Sequence, residues 1–157
     1  MTADWGILAR AVHVVAVVVW IGGVSLVTMV LLPGMKGKTP DQWIREFEAI
    51  EQRFAPQARI AAVLVLLSGL YMLYRYDLWD RFQQGRFWWM HVMVGIWLLF
   101  AALLFFIEPF IVRKGAHLRA ASAPEAALAR MLRLHRVMLT LSLLAVFAAV
   151  CGSHGLF

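Results

Sequence analysis

Two histidines lie inside uncharged, apolar stretches of this chain that are long enough to cross a membrane. His13 falls in the run 11–33, and His91 falls in the run 87–107. An ionisable side chain at membrane depth is costly, so it generally marks a site for an ion, a proton or a cofactor. The alternative is a histidine that only hydrogen-bonds a neighbouring helix. Two histidines at similar depth favour a shared site over that alternative.

The composition requires transmembrane helices to carry these histidines. Hydrophobic residues make up 62% of the 157 residues, and four stretches are apolar over nearly the length that a spanning helix needs. We therefore predict an all-α fold, an integral membrane four-helix bundle that forms one domain over residues 1–157. The predicted spans cover approximately residues 8–33, 56–75, 87–109 and 134–154.

The segment between the first two spans has the pattern of an amphipathic helix. Thr39 and Gln42 form a capping box, with Pro40 in the first turn. Apolar residues then recur at helical spacing opposite a charged face. We predict a cytoplasmic amphipathic helix that lies on the membrane surface or runs straight into the second span. Its apolar face consists of Trp43, Ile44, Phe47, Ile50 and Phe54.

The positive charge of the chain is distributed unevenly. Of the 15 lysines and arginines, all but Arg10, Arg75, Arg81 and Arg86 lie between spans one and two or between spans three and four. The positive-inside rule then places these two loops in the cytoplasm and both termini outside, in a bacterial-type inner membrane. The expected partner of this charge is the lipid bilayer, whose anionic headgroups attract basic loops, and not nucleic acid.

Haem is the cofactor that a pair of facing histidines fits best. Spans one and three run in the same direction, so His13 and His91 could face each other across the bundle. Haem iron accepts axial histidine, and the macrocycle needs an apolar slot. Gly95, one turn beyond His91, would let a flat ring approach the backbone, although small-residue helix packing also explains it. Arg10 would pair with a propionate or simply extend to the membrane surface.

We therefore predict a protein that binds haem and transfers electrons to a membrane or periplasmic partner. A second hypothesis is a copper-binding protein for copper transport or resistance. Cys151 and His154 are three residues apart on the fourth helix, and could approach His91 and Met93. Thiolate, thioether and imidazole ligands suit Cu(I). A third hypothesis is a structural or assembly subunit without a cofactor. Under each of these three hypotheses the protein could form a homo-oligomer.

The other histidines, His117 and His135, lie among arginines near the basic loops. We expect them to face water or lipid headgroups. Glu108, near the end of the third span, is expected to pair with one of those arginines. No Ser/His/Asp arrangement and no glycine-rich phosphate loop points to a hydrolytic enzyme.

Several motifs in three of the four spans resemble known membrane proteins. The first span contains His13 and the segment Trp20-Ile-Gly-Gly23, and it ends with Leu32-Pro33. Further along are Glu51-Gln52-Arg53-Phe54, Gly69-Leu70-Tyr71 and Trp89-Met90-His91. Together these segments resemble the copper-resistance protein D (CopD) family and the HemJ-type protoporphyrinogen oxidases.

The resemblance implies a four-span protein in which His13 and His91 bind haem b, with Trp20 beside the cofactor. Two positions depart from the oxidase pattern. Met93 stands where that family has a lysine, and Gly34 where it has an arginine. We therefore expect an oxidoreductase role to be possible without protoporphyrinogen oxidation.

Overall fold

A computed structural model describes residues 4–112 and 123–156, and within them four long helices form a bundle. Helix α1 covers Trp5–Gly34, α2 covers Pro40–Arg75, and α4 covers Pro124–Ser153. Helix α3 covers Trp88–Ala101 and continues as a π-helix over Ala102–Val112. All four are long and apolar enough to cross a membrane. The predicted all-α membrane bundle with four spans is confirmed.

Helix α1 shows why these residues form a spanning helix. The Asp4 side chain caps its start by accepting a hydrogen bond from the Gly6 N–H at 2.9 Å. Its apolar residues include β-branched ones on a face that the bundle leaves exposed, such as Val15 and Val18. The opposite face, which includes Ala16 and Trp20, is buried against the other helices.

Helix α2 joins the predicted amphipathic helix and the second span into one continuous helix of 36 residues. At 1.5 Å per residue it is about 54 Å long, whereas the hydrocarbon core of a bilayer is only about 30 Å thick. The capping box is present, since the Thr39 N–H donates to Gln42 Oε1 at 3.2 Å. The first turns of α2 therefore extend beyond the membrane.

The start of α4 extends beyond the membrane beside the start of α2. Trp43 is 3% exposed and lies in a cluster with Leu128 and Leu132 of α4 and with Leu32 of α1. The apolar face of the amphipathic segment thus packs against protein and not against lipid. We call this end of the bundle, where α1 finishes and α4 begins, the basic end, because Lys36, Lys38, Arg45, Arg53 and Arg130 lie there.

Arg59 of α2 explains how the π-helix of α3 is satisfied. In a π-helix the carbonyl of each residue accepts from the N–H five residues later, which for Leu104 is position 109. Pro109 has no N–H to donate. The Arg59 Nε–H donates to the Leu104 carbonyl at 3.2 Å. The Arg59 side chain therefore supplies the hydrogen-bond donor that the backbone of α3 lacks at position 109.

At the opposite end, α3 and α4 pack tightly around Trp89. This tryptophan is 7% exposed and lies with Met90 and Ala148 in a buried cluster. A Cβ at Gly152 would overlap the Trp89 indole, whereas a Cβ at Gly22 on α1 would meet nothing within 4 Å.

Gly152→Ala should therefore lower the stability of the protein in detergent by about 1–3 kcal/mol, as expected for overpacking of a buried site. Thermal unfolding followed by circular dichroism measures the change. Gly22→Ala is the matched control and should be neutral or slightly stabilising, because alanine favours helix over glycine. Equal stability of the two variants would contradict the packing of Trp89 on Gly152.

Candidate functional site: an apolar cavity at the basic end

A cavity of about 630 Å³ lies among all four helices toward the basic end. Its volume falls in the range of roughly 300–1,000 Å³ that is usual for cofactor and small-molecule sites. It reaches from Trp43, beyond the membrane, to Met138 near the middle of α4. Its walls are mainly apolar and rich in aromatic side chains, namely Trp20, Trp43, Phe47, Phe54 and Phe100.

Two of these aromatic rings fix the deep end of the cavity. The rings of Trp20 and Phe100 meet edge to face, with their centroids 4.8 Å apart and an interplanar angle of 84°. Both side chains are almost completely buried, at 5% and 6% exposure. Edge-to-face packing is the favourable geometry for such a pair, so this wall is rigid.

The π-helical segments of α1 and α3 both border the cavity. Val27 begins the π segment Val27–Leu31 of α1, and Leu104 belongs to that of α3. Thr28 is 2% exposed, and its hydroxyl donates to the Val24 carbonyl at 2.6 Å. Interruptions of this kind in α-helices occur frequently at functional sites.

Three ionisable side chains enter this otherwise apolar space. Glu51 comes from α2, and Arg130 and His135 come from α4. Arg130 and His135 lie one to one and a half turns apart on α4. Arg130 is nearer the basic end, and His135 is deeper in the bundle. The cavity therefore combines an apolar interior with a cation and an imidazole along one wall.

The hydrogen bond of His135 determines which ring nitrogen can bind a ligand. His135 Nδ1 lies 3.0 Å from the Met131 carbonyl oxygen. A carbonyl only accepts hydrogen bonds, so Nδ1 carries the proton and Nε2 of the neutral ring keeps its lone pair. Metal-ligating histidines commonly have this arrangement, since the bond fixes both the tautomer and the orientation of the ring.

His13 is held in a different way, against α2. Its Nδ1 lies 3.0 Å from Ser68 Oγ, and the Ser68 hydroxyl is directed at the Leu64 and Val65 carbonyls. The serine oxygen therefore accepts from the His13 N–H. Gly69 lies against the same ring, since a Cβ there would be 3.4 Å from His13 Cε1. His13 thus links α1 to α2.

His91 and His13 have different neighbours. His91 is exposed, and its ring meets Phe82 edge to face with centroids 5.2 Å apart. Neither histidine lines the cavity at the basic end, whereas Trp20 does. Gly95 is exposed, with nothing within 4 Å of a Cβ built there. Arg10 lies over the Tyr76 ring, 5.8 Å from its centroid.

The proposed copper ligands are also spread over several environments. Met93 packs beside the Trp89 cluster, and Cys151 is a half-buried free cysteine. His154 Nδ1 lies 2.8 Å from the Val150 carbonyl and 3.2 Å from Ser153 Oγ at the exposed end of α4. Among residues 4–112 and 123–156 there is no cluster of three or more His, Cys, Asp or Glu side chains that could hold a metal ion.

The expectations for His117 and for the Glu108 side chain lie outside the described residues. His135 was expected to face water or headgroups, but it is half-buried and lines the cavity. The sequence analysis did not predict the cavity or the presence of Arg130 and Glu51 in its lining. The apolar face of the amphipathic segment could have indicated it, because that face needed other helices to pack against.

Comparison with family models, with curated proteins and with solved structures finds no match to this chain. The resemblance to the CopD and HemJ-type families therefore stays a prediction from individual motifs.

Ser68→Ala removes the acceptor of the hydrogen bond between His13 of α1 and Ser68 of α2. Loss of the His13–Ser68 bond should cost about 0.6 kcal/mol and at most about 1.7 kcal/mol, the range measured for hydrogen bonds between membrane helices. Unfolding in mixed micelles, in a double-mutant cycle with His13→Ala, measures the coupling.

The control is Ser142→Ala, because Ser142 is equally buried but its hydroxyl donates to Met138 of its own helix at 2.8 Å. Position 142 should show no coupling to His13. Coupling of the same size at both serines would rule out the bond described here.

Proposed function

We propose that this protein is a haem-b-binding membrane protein with a redox role, and that the haem occupies the cavity at the basic end. The observation that carries the proposal is His135, whose Nδ1–H is bonded to a backbone carbonyl while the ring lines an apolar, aromatic cavity. This differs from the pair predicted from the sequence, in which His13 and His91 were the ligands.

The residues around the cavity suit a flat, apolar macrocycle. Aromatic side chains from α1, α2 and α3 surround it, and Met131 and Met138 lie on the wall that carries His135. Methionine adapts its shape to irregular ligands and makes favourable contacts with aromatic rings. A slot of this composition also excludes water, which raises the strength of the interactions inside it.

One histidine is enough for haem but not for a bare metal ion. The macrocycle supplies the equatorial ligands of the iron, so the protein needs to provide only an axial one. Haem is favoured over copper because one cavity-lining histidine suits a cofactor that brings its own nitrogen ligands. His135 would provide the axial imidazole, and the Met131 carbonyl would keep its Nε2 available.

Arg130 suits the acidic part of the same cofactor. Arg130 lines the cavity and lies on α4 nearer the basic end than His135. Arginine pairs well with carboxylates, so it would hold the haem propionates at the membrane surface while the ring stays in the apolar interior. When bound, haem supplies one-electron chemistry, and the chain supplies the ligand, the burial and the nearby charge that set its potential.

The proposed setting is a bacterial-type inner membrane with the basic end in the cytoplasm. The asymmetry of lysine and arginine supports this orientation. The haem would then lie in the cytoplasmic half of the bilayer, and its redox partner would be a membrane-dissolved or cytoplasmic molecule instead of a periplasmic one.

Replacing His135 tests the ligand directly. His135→Gly should weaken haem binding by roughly 10–100-fold or more, since even the outer partners of ligating residues have effects of that size. The haem-to-protein ratio and the reduced-minus-oxidised spectrum measure the loss. Added imidazole should restore the spectrum by filling the space of the missing ring.

The matched controls are His13→Gln and His91→Gln, which should keep a normal spectrum. A spectrum lost in either control and kept in His135→Gly would instead favour the ligand pair predicted from the sequence. A folded wild-type protein that gains no Soret band from added haem would end the haem proposal altogether.

Single cysteines in a Cys151→Ser background test the orientation. Gln83→Cys lies at the end opposite the basic end, and Lys36→Cys lies at the basic end; both residues are exposed. A membrane-impermeant maleimide should label Gln83→Cys on intact cells, and Lys36→Cys only after the membrane is opened. The reverse pattern would place the basic end outside.

A further inference from the structure

We infer that the cavity is open to the bilayer between α3 and α4, and that it takes up an amphiphile with a carboxylate head from the leaflet at the basic end. Naming haem as the natural ligand rests on the proposed function, since haem carries propionates on an apolar ring. The lateral opening itself rests on the exposure of the residues that line the cavity.

The side of the cavity formed by α1 and α2 is closed. Trp20 and Val24 of α1 are 5% and 6% exposed, and Ala58 of α2 is 2% exposed. These two helices pack against each other along much of their length. A ligand cannot enter through this wall unless the helices separate.

The side formed by α3 and α4 is different. Leu134 of α4 is 48% exposed and Ile107 of α3 is 37% exposed, although both line the cavity. Exposed apolar side chains on a spanning helix are expected to meet lipid, and the exposed Arg133 and Arg136 beside Leu134 put this position near the headgroups. Leu134 and Ile107 therefore connect the cavity with the lipid phase.

The same two helices are closed at the other end of the bundle. There Met90 of α3 and Ala148 of α4 are buried together with Trp89. The opening is thus confined to the half of the bundle that contains the cavity, which defines a portal with Leu134 and Ile107 at its edges.

Arg130 indicates which amphiphile the portal suits. It is exposed and lies about one turn from Leu134, toward the start of α4. A molecule in the leaflet could keep a carboxylate at Arg130 while its apolar part moves past Leu134. His135, which follows Leu134 in the sequence, lines the cavity behind the portal.

A photoreactive lipid probe can test the portal without haem. The haem-free full-length protein is placed in liposomes with a long-chain fatty acid that carries a diazirine on its chain, and labelled residues are located by mass spectrometry. The closed wall at Trp20, Val24 and Ala58 should be labelled, because the probe can reach it only from the cavity. Val18, which is 64% exposed on α1, serves as the lipid-facing reference in the same sample.

When the probe is added shortly before irradiation, Leu134→Trp should fill the portal and slow labelling of the closed wall by roughly tenfold or more relative to Val18, the effect of an entry barrier raised by about 1.4 kcal/mol. Leu144→Trp is the control, since Leu144 is 58% exposed on the same helix but does not line the cavity. Arg130→Gln should lower labelling by the fatty acid but not by the corresponding long-chain alcohol.

An unlabelled closed wall in the wild-type protein, or equal labelling in Leu134→Trp and Leu144→Trp, would overturn the portal. Equal labelling by the acid and the alcohol in every variant would overturn the preference for a carboxylate. The haem spectrum decides the proposed function separately, so a working portal without a Soret band would retain this inference and remove the haem.

Discussion

Polar groups inside an apolar bundle need hydrogen-bond partners within the protein, and this constraint governs how the helices are joined. Among the buried side chains that the structure describes, only the Trp89 indole N–H has no such partner. The hydrocarbon chains of lipid offer no hydrogen-bond donors or acceptors, so each unsatisfied polar group costs roughly several kcal/mol. The Trp97 indole donates to the Ala62 carbonyl at 2.9 Å, and the Arg59 Nε–H donates to the Leu104 carbonyl at 3.2 Å. Both bonds join α2 to α3, which otherwise have few contacts.

The second constraint is the length of the helices. Helices α2 and α4 are both much longer than a bilayer is thick, and their first turns lie at the same end. Outside the hydrocarbon core their apolar faces would meet water, so Trp43 of α2 and Leu132 of α4 are buried in one cluster together with Leu32 at the end of α1. The cavity forms where this extramembrane packing meets the interior of the bundle, and it therefore has both an apolar depth and a charged edge.

The number of spanning helices and the capping box of α2 could be predicted from the sequence, because they depend on local patterns of hydropathy and on a few residues at helix ends. The cavity could not. Hydropathy places His13 and His91 at a depth but does not fix the rotation of their helices, and that rotation directs His13 to Ser68 and leaves His91 exposed. The surroundings of His135 were misjudged because the arginines around it suggested a wet surface, whereas the side chain lines the mainly apolar cavity.

The hydrogen bonds of His13 and His135 lead to different places in the bundle. The bond of His13 joins two helices, so moving the ring would break a contact between α1 and α2. The bond of His135 stays within its own helix, between positions 131 and 135. Both bonds use Nδ1 and leave Nε2 of the neutral ring with its lone pair, so the tautomer does not distinguish the two side chains. Their surroundings do, because His135 lines the aromatic cavity and His13 does not.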